Sequence, residues 1–241
     1  MFIAAEYYLP LYYQSVQEAS PLHSGLLLLP LVLTEASTGI LTGILIHRTG
    51  RYIETIWAGT TLLTLGVGLL IDLDANSTLT KMIPFQIVIG LGSGFLFEPP
   101  LIALQALVSQ DDTATATATL GFVRSIALCL SVVVGGVIFQ NGMQIRAPAL
   151  RASGLSSNIT AQLSGSEAAA NVMIVKSIEN ATKKQIVKEA FSWSLRNMWI
   201  LYVSAGVCSI VATFFISKQA LAKEHTETKT GLKKDSQGAV A

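Results

Sequence analysis

Charge is scarce in this chain. Only 13% of its 241 residues are Asp, Glu, Lys or Arg, against roughly 25% in an average soluble domain, so water is not its main solvent. The 16 basic and 15 acidic residues leave a net charge of +1. That supplies no clustered basic face for a phosphate backbone, and nucleic acid is excluded as a partner. Histidine is confined to His23, His47 and His225 and cysteine to Cys129 and Cys208. A metal centre has almost no ligands to draw on, and neither a metal nor a cofactor is expected. Both cysteines fall in apolar runs, where a thiol behaves as a small hydrophobe, so no disulfide framework follows. His-Glu-x-x-His, Gly-x-Ser-x-Gly and Cys-x-x-Cys are all missing, and the chain reads as something other than an enzyme. No cleavable leader is visible, because the first apolar stretch carries Glu6 and Pro10 and has no basic start.

What the chain has in quantity is long apolar runs. Hydrophobic residues make up 51% of it, and about 20 of them in succession cross a bilayer core of roughly 30 Å. The runs predict an all-α, multi-pass integral membrane protein in contact with lipid, with spans over about 2–16, 22–46, 53–71, 83–108, 114–139 and 198–216. The first is short, about 24 Å at 1.5 Å per residue, and reads as a helix whose start is missing. Between the fifth and sixth spans lies a polar section, 140–196. Within it Val172, Val175, Ile178 and Ile186 recur at helical spacing, which predicts a helix over about 167–191 lying on the membrane surface or packed on neighbouring loops. Residues 218–241, polar and rich in Lys and Thr, read as a disordered tail.

The Lys and Arg count of the loops does not decide orientation. The sequons at Asn76, Asn158 and Asn180 do favour one, since all three fall on the same side of a six-span arrangement and N-glycans are added on the lumenal side. This makes them glycosylation candidates and places the His47 turn and the tail in the cytosol.

Ionisable groups within spans cost about 2.5–3.5 kcal/mol at a helix centre, so each needs a partner or a polar cavity. Glu35, Glu98 and Arg124 are such groups, and they are the candidates for a substrate or proton pathway. Arg124 stands about ten residues into its span, near the midplane. As a pathway residue it would pair with Glu98 and change partners as a proton or substrate passes. As a structural residue it would hold a fixed ion pair or bond backbone carbonyls. Glu35, beside Thr34, Ser37 and Thr38, also fits a polar packing seam. Gly90, Gly92 and Gly94 allow close helix approach, and Pro99 and Pro100 next to Glu98 free backbone groups at depth, which is tolerated beside protein or a water-filled cavity.

The turn Gly43-Ile44-Leu45-Ile46-His47-Arg48-Thr49-Gly50-Arg51-Tyr52 resembles the cytoplasmic signature loop of the major facilitator superfamily. Gly43, Leu45, Arg48, Gly50 and Arg51 match it, while His47 stands in place of an Asp and Tyr52 in place of a basic residue. Further along, Tyr7-Tyr8-Leu9-Pro10-Leu11-Tyr12-Tyr13-Gln14, Leu29-Pro30, Phe85-Gln86-Ile87, Gly90-Leu91-Gly92, Pro100-Leu101-Ile102-Ala103, Arg124 and Gly135-Gly136-Val137-Ile138-Phe139-Gln140-Asn141 resemble the carboxy-terminal half of fungal fourteen-span drug:proton antiporters. The resemblance implies a six-helix half of the major facilitator fold with its first helix truncated. It also implies proton-driven efflux of small amphiphilic or toxic compounds across the plasma or vacuolar membrane. Its partners would be a small-molecule substrate, protons, and a missing amino-terminal half or a second copy to complete the pathway, since such transporters hold substrate between two halves. The chain would then be a truncated portion of a transporter. The alternative is a non-transporting membrane protein that assembles with other subunits through its helix faces.

Overall fold

A computed structural model describes residues 1–216; the expected cytoplasmic tail, 218–241, lies outside the described residues. Among these residues there is no strand. The helices are α1 (Phe2–Ser15), α2 (Pro21–Leu26), α3 (Leu29–Thr49), α4 (Tyr52–Leu69), α5 (Leu79–Phe97), α6 (Pro99–Gln105), α7 (Thr113–Ala152), α8 (Ser157–Gln162), α9 (Ile174–Ser177) and α10 (Ala181–Thr213). Five stretches are long and apolar enough to cross a membrane: Pro21–Thr49, Tyr52–Asp72, Leu79–Gln105, Thr113–Ala152 and Ala181–Thr213. With α1, of 14 residues, as the short sixth element, the chain is an integral multi-pass membrane protein.

Local chemistry sets the breaks. Ser20 caps α2, its Oγ accepting from His23 N at 3.2 Å, with Pro21 in the first turn where a missing N–H costs nothing. The α5 helix stops at Glu98 because Pro99 and Pro100 cannot donate to the preceding turn. Gly50 closes α3 in the left-handed region at φ 69°, its N–H reaching Ile46 O at 2.7 Å, a conformation that costs any residue with a Cβ. This is the structural use of the second glycine of the signature loop. The side chains of Arg48 and Arg51 on either side of it are exposed.

The long helices form an arc in which α3 lies on α5, α5 on α4, α4 on α10 and α10 on α7, with α1 against α4, α7 and α10. Glycines bring them close. A Cβ on Gly90 would meet Leu31 O and Thr34 Cβ of α3, one on Gly94 would meet Glu35 O, and one on Gly92 would run into the backbone of Leu63 in α4. The two faces of α5 therefore touch two helices at backbone distance. On the other limb Gly135 leaves room for two tyrosines. Tyr8 Oη donates to Val132 O at 2.6 Å and Tyr202 Oη to Ser131 O at 2.6 Å, so α1 and α10 are both bonded to the backbone of α7. The core runs along α1 and α10 through Leu9, Tyr12, Tyr13, Leu195, Met198 and Trp199, all fully buried.

Two expectations differ from the observed helices. The fifth span, expected to end near 139, continues to Ala152 and is 40 residues long, because Phe139, Met143, Ala147 and Leu150 keep one buried stripe going. The separate surface helix over 167–191 is absent. Residues 165–173 form short turns, α9 spans only Ile174–Ser177, and residues from Ala181 onward are the first turns of α10 itself. Val172, Val175 and Ile178 are buried against the same core as Val187 of α10, so this segment caps the long helices.

The cap is held to the α1–α2 connection by charge. Glu18, at φ 54°, accepts from Lys188 at 2.6 Å and Lys184 at 3.1 Å. The Lys188 hydrogen bond, ahead of the Lys184 contacts, keeps its carboxyl below the ordinary value of 4.5. A depressed folded-state pKa stabilises above the unfolded value and is lost as pH falls through the folded one. Thermal unfolding of the chain in detergent should therefore separate wild type from Glu18→Gln by up to about 1 kcal/mol at neutral pH. The difference should vanish once the pH falls below the Glu18 value, under about 4.5.

The three sequon asparagines are at the cap end. Asn76 Oδ1 accepts from Gln185 Nε2 at 3.3 Å, Asn180 caps α10, and Asn158 lies in α8, which follows Gly154, whose carbonyl accepts from Lys183 Nζ of α10. The signature turn is at the opposite end, beyond Trp57, whose Nε1 donates to Thr213 O at 3.2 Å.

Candidate functional site

Four side chains from three helices meet at the level where α1 begins. Glu35 projects from α3 beside the Gly90 and Gly94 contacts and accepts from Ser93 Oγ of α5 at 2.8 Å. Arg124 of α7 lies 5.2 Å from the centroid of the Phe97 ring, a cation over an aromatic face. Glu35, Ser93, Phe97 and Arg124 line one cavity of about 360 Å³ together with Met1 and Leu128. A second cavity of about 550 Å³ is bordered by Glu35, Phe97, Glu98, Gly43 and Ile102. Glu35 and Phe97 are common to both.

The three acidic and basic candidates are thus gathered around Glu35, in an order that differs from the expected one. Arg124 shares its cavity with Glu35, and among the described residues no ion pair links it to Glu98. Glu98 opens into the other cavity, where its backbone carbonyl also receives Leu101 N and Ile102 N at 3.1 Å. Of the signature loop, Gly43 is in the wall of that cavity; Leu45, Arg48, Gly50 and Arg51 stand apart at the end of α3. Arg124 is exposed along with the whole of α7 from 121 to 130, so its guanidinium is open on the side away from Phe97.

Two polar groups in the spans escape a sequence search that looks only for charge at mid-span. Glu6 of α1 is within electrostatic reach of Glu35 without lining either of the two cavities; its only signal was a lone acid in an apolar stretch. Gln86 Nε2 donates to Tyr13 Oη at 2.7 Å in the core, and its Oε1 is buried without a partner, leaving one unspent acceptor between α1 and α5. Among the described residues no three His, Cys, Asp or Glu side chains gather in a metal-holding group.

Comparison with known proteins gives this arrangement its context. The MFS-type transporter ppz2 of Metarhizium majus is 39% identical over 231 residues, 96% of this chain and 40% of that protein. The efflux pump dotC of Dothistroma septosporum is 36% identical over 232 residues, 96% of this chain and 39% of its own. An MFS-type transporter of Aspergillus terreus is 38% identical over 209 residues, 87% and 38% respectively. No family model matches the chain, and no solved structure does. The chain spans about two fifths of the length of these relatives. Along nearly its whole length the chain is thus homologous to fungal MFS-type transporters and efflux pumps, in keeping with its membrane-length helices.

Proposed function

We propose that the chain forms one wall of a proton-coupled efflux pathway for small amphiphilic or toxic compounds, in the plasma or vacuolar membrane, and that its role is transport, not catalysis. The observation that carries this reading is Glu35, a carboxyl on the boundary between two cavities, hydrogen-bonded to Ser93 and facing the cavity that holds Arg124. Glu35 and Arg124 line one cavity with opposite charges, so a single proton on Glu35 changes the net charge of that cavity by one. A proton on Glu35 and a substrate cation or dipole near it are then alternatives, which is the requirement for antiport. Glu98 serves the second cavity as the acid a substrate meets on the side of the signature loop. The opposite wall comes from an amino-terminal half or a second copy of this chain, packed on the exposed faces of α3 and α7. Asn76, Asn158 and Asn180 are the glycan sites of this arrangement.

The test is efflux itself. The chain is expressed in a pump-deficient yeast strain, alone and fused behind the amino-terminal half of one of the relatives, and retention of a fluorescent amphiphilic dye is followed. Dye export by the fusion, abolished by a protonophore, is the expected result. A membrane-inserted fusion that leaves dye retention unchanged would overturn the reading in favour of a purely structural assembly subunit.

A further inference from the structure

A cavity of about 610 Å³ lies apart from Glu35. It opens at the cap end between the end of α4, the turn at 72–76, Arg146 of α7 and the first turns of α10. Its lining mixes charges that do not neutralise one another. Arg146 lies over the Trp193 ring, 4.3 Å from the centroid, and its Nε is buried with no hydrogen-bond partner. Arg196 is exposed. Among the described residues neither arginine is joined to a carboxylate, although Asp72 and Glu189 line the same space. Asp72 is held by Lys81 at 2.7 Å instead, and Glu189 accepts from Gln185 at 3.1 Å. Two arginines that meet no carboxylate thus share a cavity with acids held by other partners, a lining complementary to a ligand that carries both signs.

The position of the cavity tells what kind of ligand. Trp193 and Arg196 lie just before the apolar stretch of α10 that starts near Met198, which is headgroup level for a helix that crosses the bilayer. The same stripe of α10 continues downward through Ile200, Val203, Val207 and Val211 at steps of three and four residues. Ile200 is 45% exposed, Val207 51% and Val211 54%. Gly68 of α4 lines the cavity beside Val203, and Leu65, three residues earlier in the same helix, is exposed as well. A polar pocket above an open aliphatic stripe on one helix face matches the shape of a phospholipid.

We propose that this cavity is a binding site for a zwitterionic phospholipid, phosphatidylethanolamine in particular. Arg146 and Arg196 take the phosphate, Glu189 and Asp72 face the ammonium, and an acyl chain lies along Ile200, Val207 and Val211. A purely anionic headgroup would meet Asp72, Asp74 and Glu189 with nothing to offer them. A choline group has no N–H to donate to Glu189 or Asp72, so a primary ammonium that donates hydrogen bonds to carboxylates fits better.

The test is native mass spectrometry of the full chain released from detergent supplied with equal amounts of phosphatidylethanolamine, phosphatidylcholine and phosphatidylglycerol of matched acyl chains, with soluble phosphoethanolamine as a separate arm. Preferential retention of phosphatidylethanolamine is expected, reduced about tenfold by Arg196→Gln, as for loss of one charged hydrogen-bonding partner. Glu189→Gln should erase the preference over phosphatidylglycerol. Arg196 is exposed, so this variant keeps its unfolding temperature and a loss of lipid cannot be assigned to misfolding. Equal retention of the three lipids, a preference for phosphatidylglycerol in the wild type, undiminished binding in Arg196→Gln, or displacement of the lipid by phosphoethanolamine at equal concentration would each overturn the assignment.

Discussion

Glu35→Gln in the fused transporter should cut proton-driven dye export by about a hundredfold, the scale on which a positioned proton-transferring side chain contributes, while leaving substrate exchange across the membrane intact. The amide cannot release a proton, yet it keeps the volume of the acid and can still accept from Ser93 Oγ, which lies 2.8 Å from the carboxylate. The cavity lining is therefore preserved and only the titration is removed. Exchange needs the pathway to open to each side in turn but needs no net proton movement, so the two assays separate a coupling residue from a packing one. Arg124→Ala should lose both activities, because removing the guanidinium beside Phe97 leaves Glu35 without the counter-charge that shares its cavity. If Glu35→Gln exports dye at the wild-type rate against a gradient, Glu35 is only part of a polar seam between α3 and α5.

The second large effect is on folding. Gly92→Ala would put a Cβ 2.6 Å from Leu63 Cα and 2.9 Å from Leu62 C. Those are backbone atoms of a long helix and cannot swing aside as the tip of a side chain can. Helices α4 and α5 would have to separate along their contact, and overpacking of this kind costs about 3 kcal/mol or more. Detergent-solubilised Gly92→Ala should aggregate on size exclusion or unfold at a markedly lower temperature. Gly121→Ala is the control, since a Cβ there meets nothing within 4 Å. It should be neutral or raise stability by about 0.5–1 kcal/mol through helix propensity. Equal behaviour of the two variants would mean that α4 and α5 are not in the close contact described.

Membrane class was legible because the hydrocarbon requirement acts on composition alone: few charges and runs of apolar residues suffice. Helix breaks were legible where a residue forbids continuation, as at Pro99 and Pro100 or at Gly50. Helix continuations were harder. Hydropathy falls after Phe139, so the fifth span was expected to stop there, although Met143, Ala147 and Leu150 carry the buried stripe on to Ala152. The same holds before Met198, where Val187, Ala190, Phe191 and Leu195 already form the inward face of α10. In both places the period of the apolar residues survives when their density does not. At the candidate site the ionisable residues were visible one at a time, since each is costly in a span. Their grouping was not, because whether Arg124 meets Glu35 or Glu98 depends on how the α5 break turns Phe97 and Glu98 apart.

The length of α7 and α10 has a mechanical corollary. A 40-residue helix is about 60 Å long, roughly twice the hydrocarbon thickness, so about 30 Å of it stands clear as a stiff mast. If the bundle tilts by about 10° when access alternates, the far end of such a mast swings by about 5 Å for geometric reasons alone. A spin label on the exposed residue Arg151, far from any substrate, would then register a motion too small to resolve at the pathway itself.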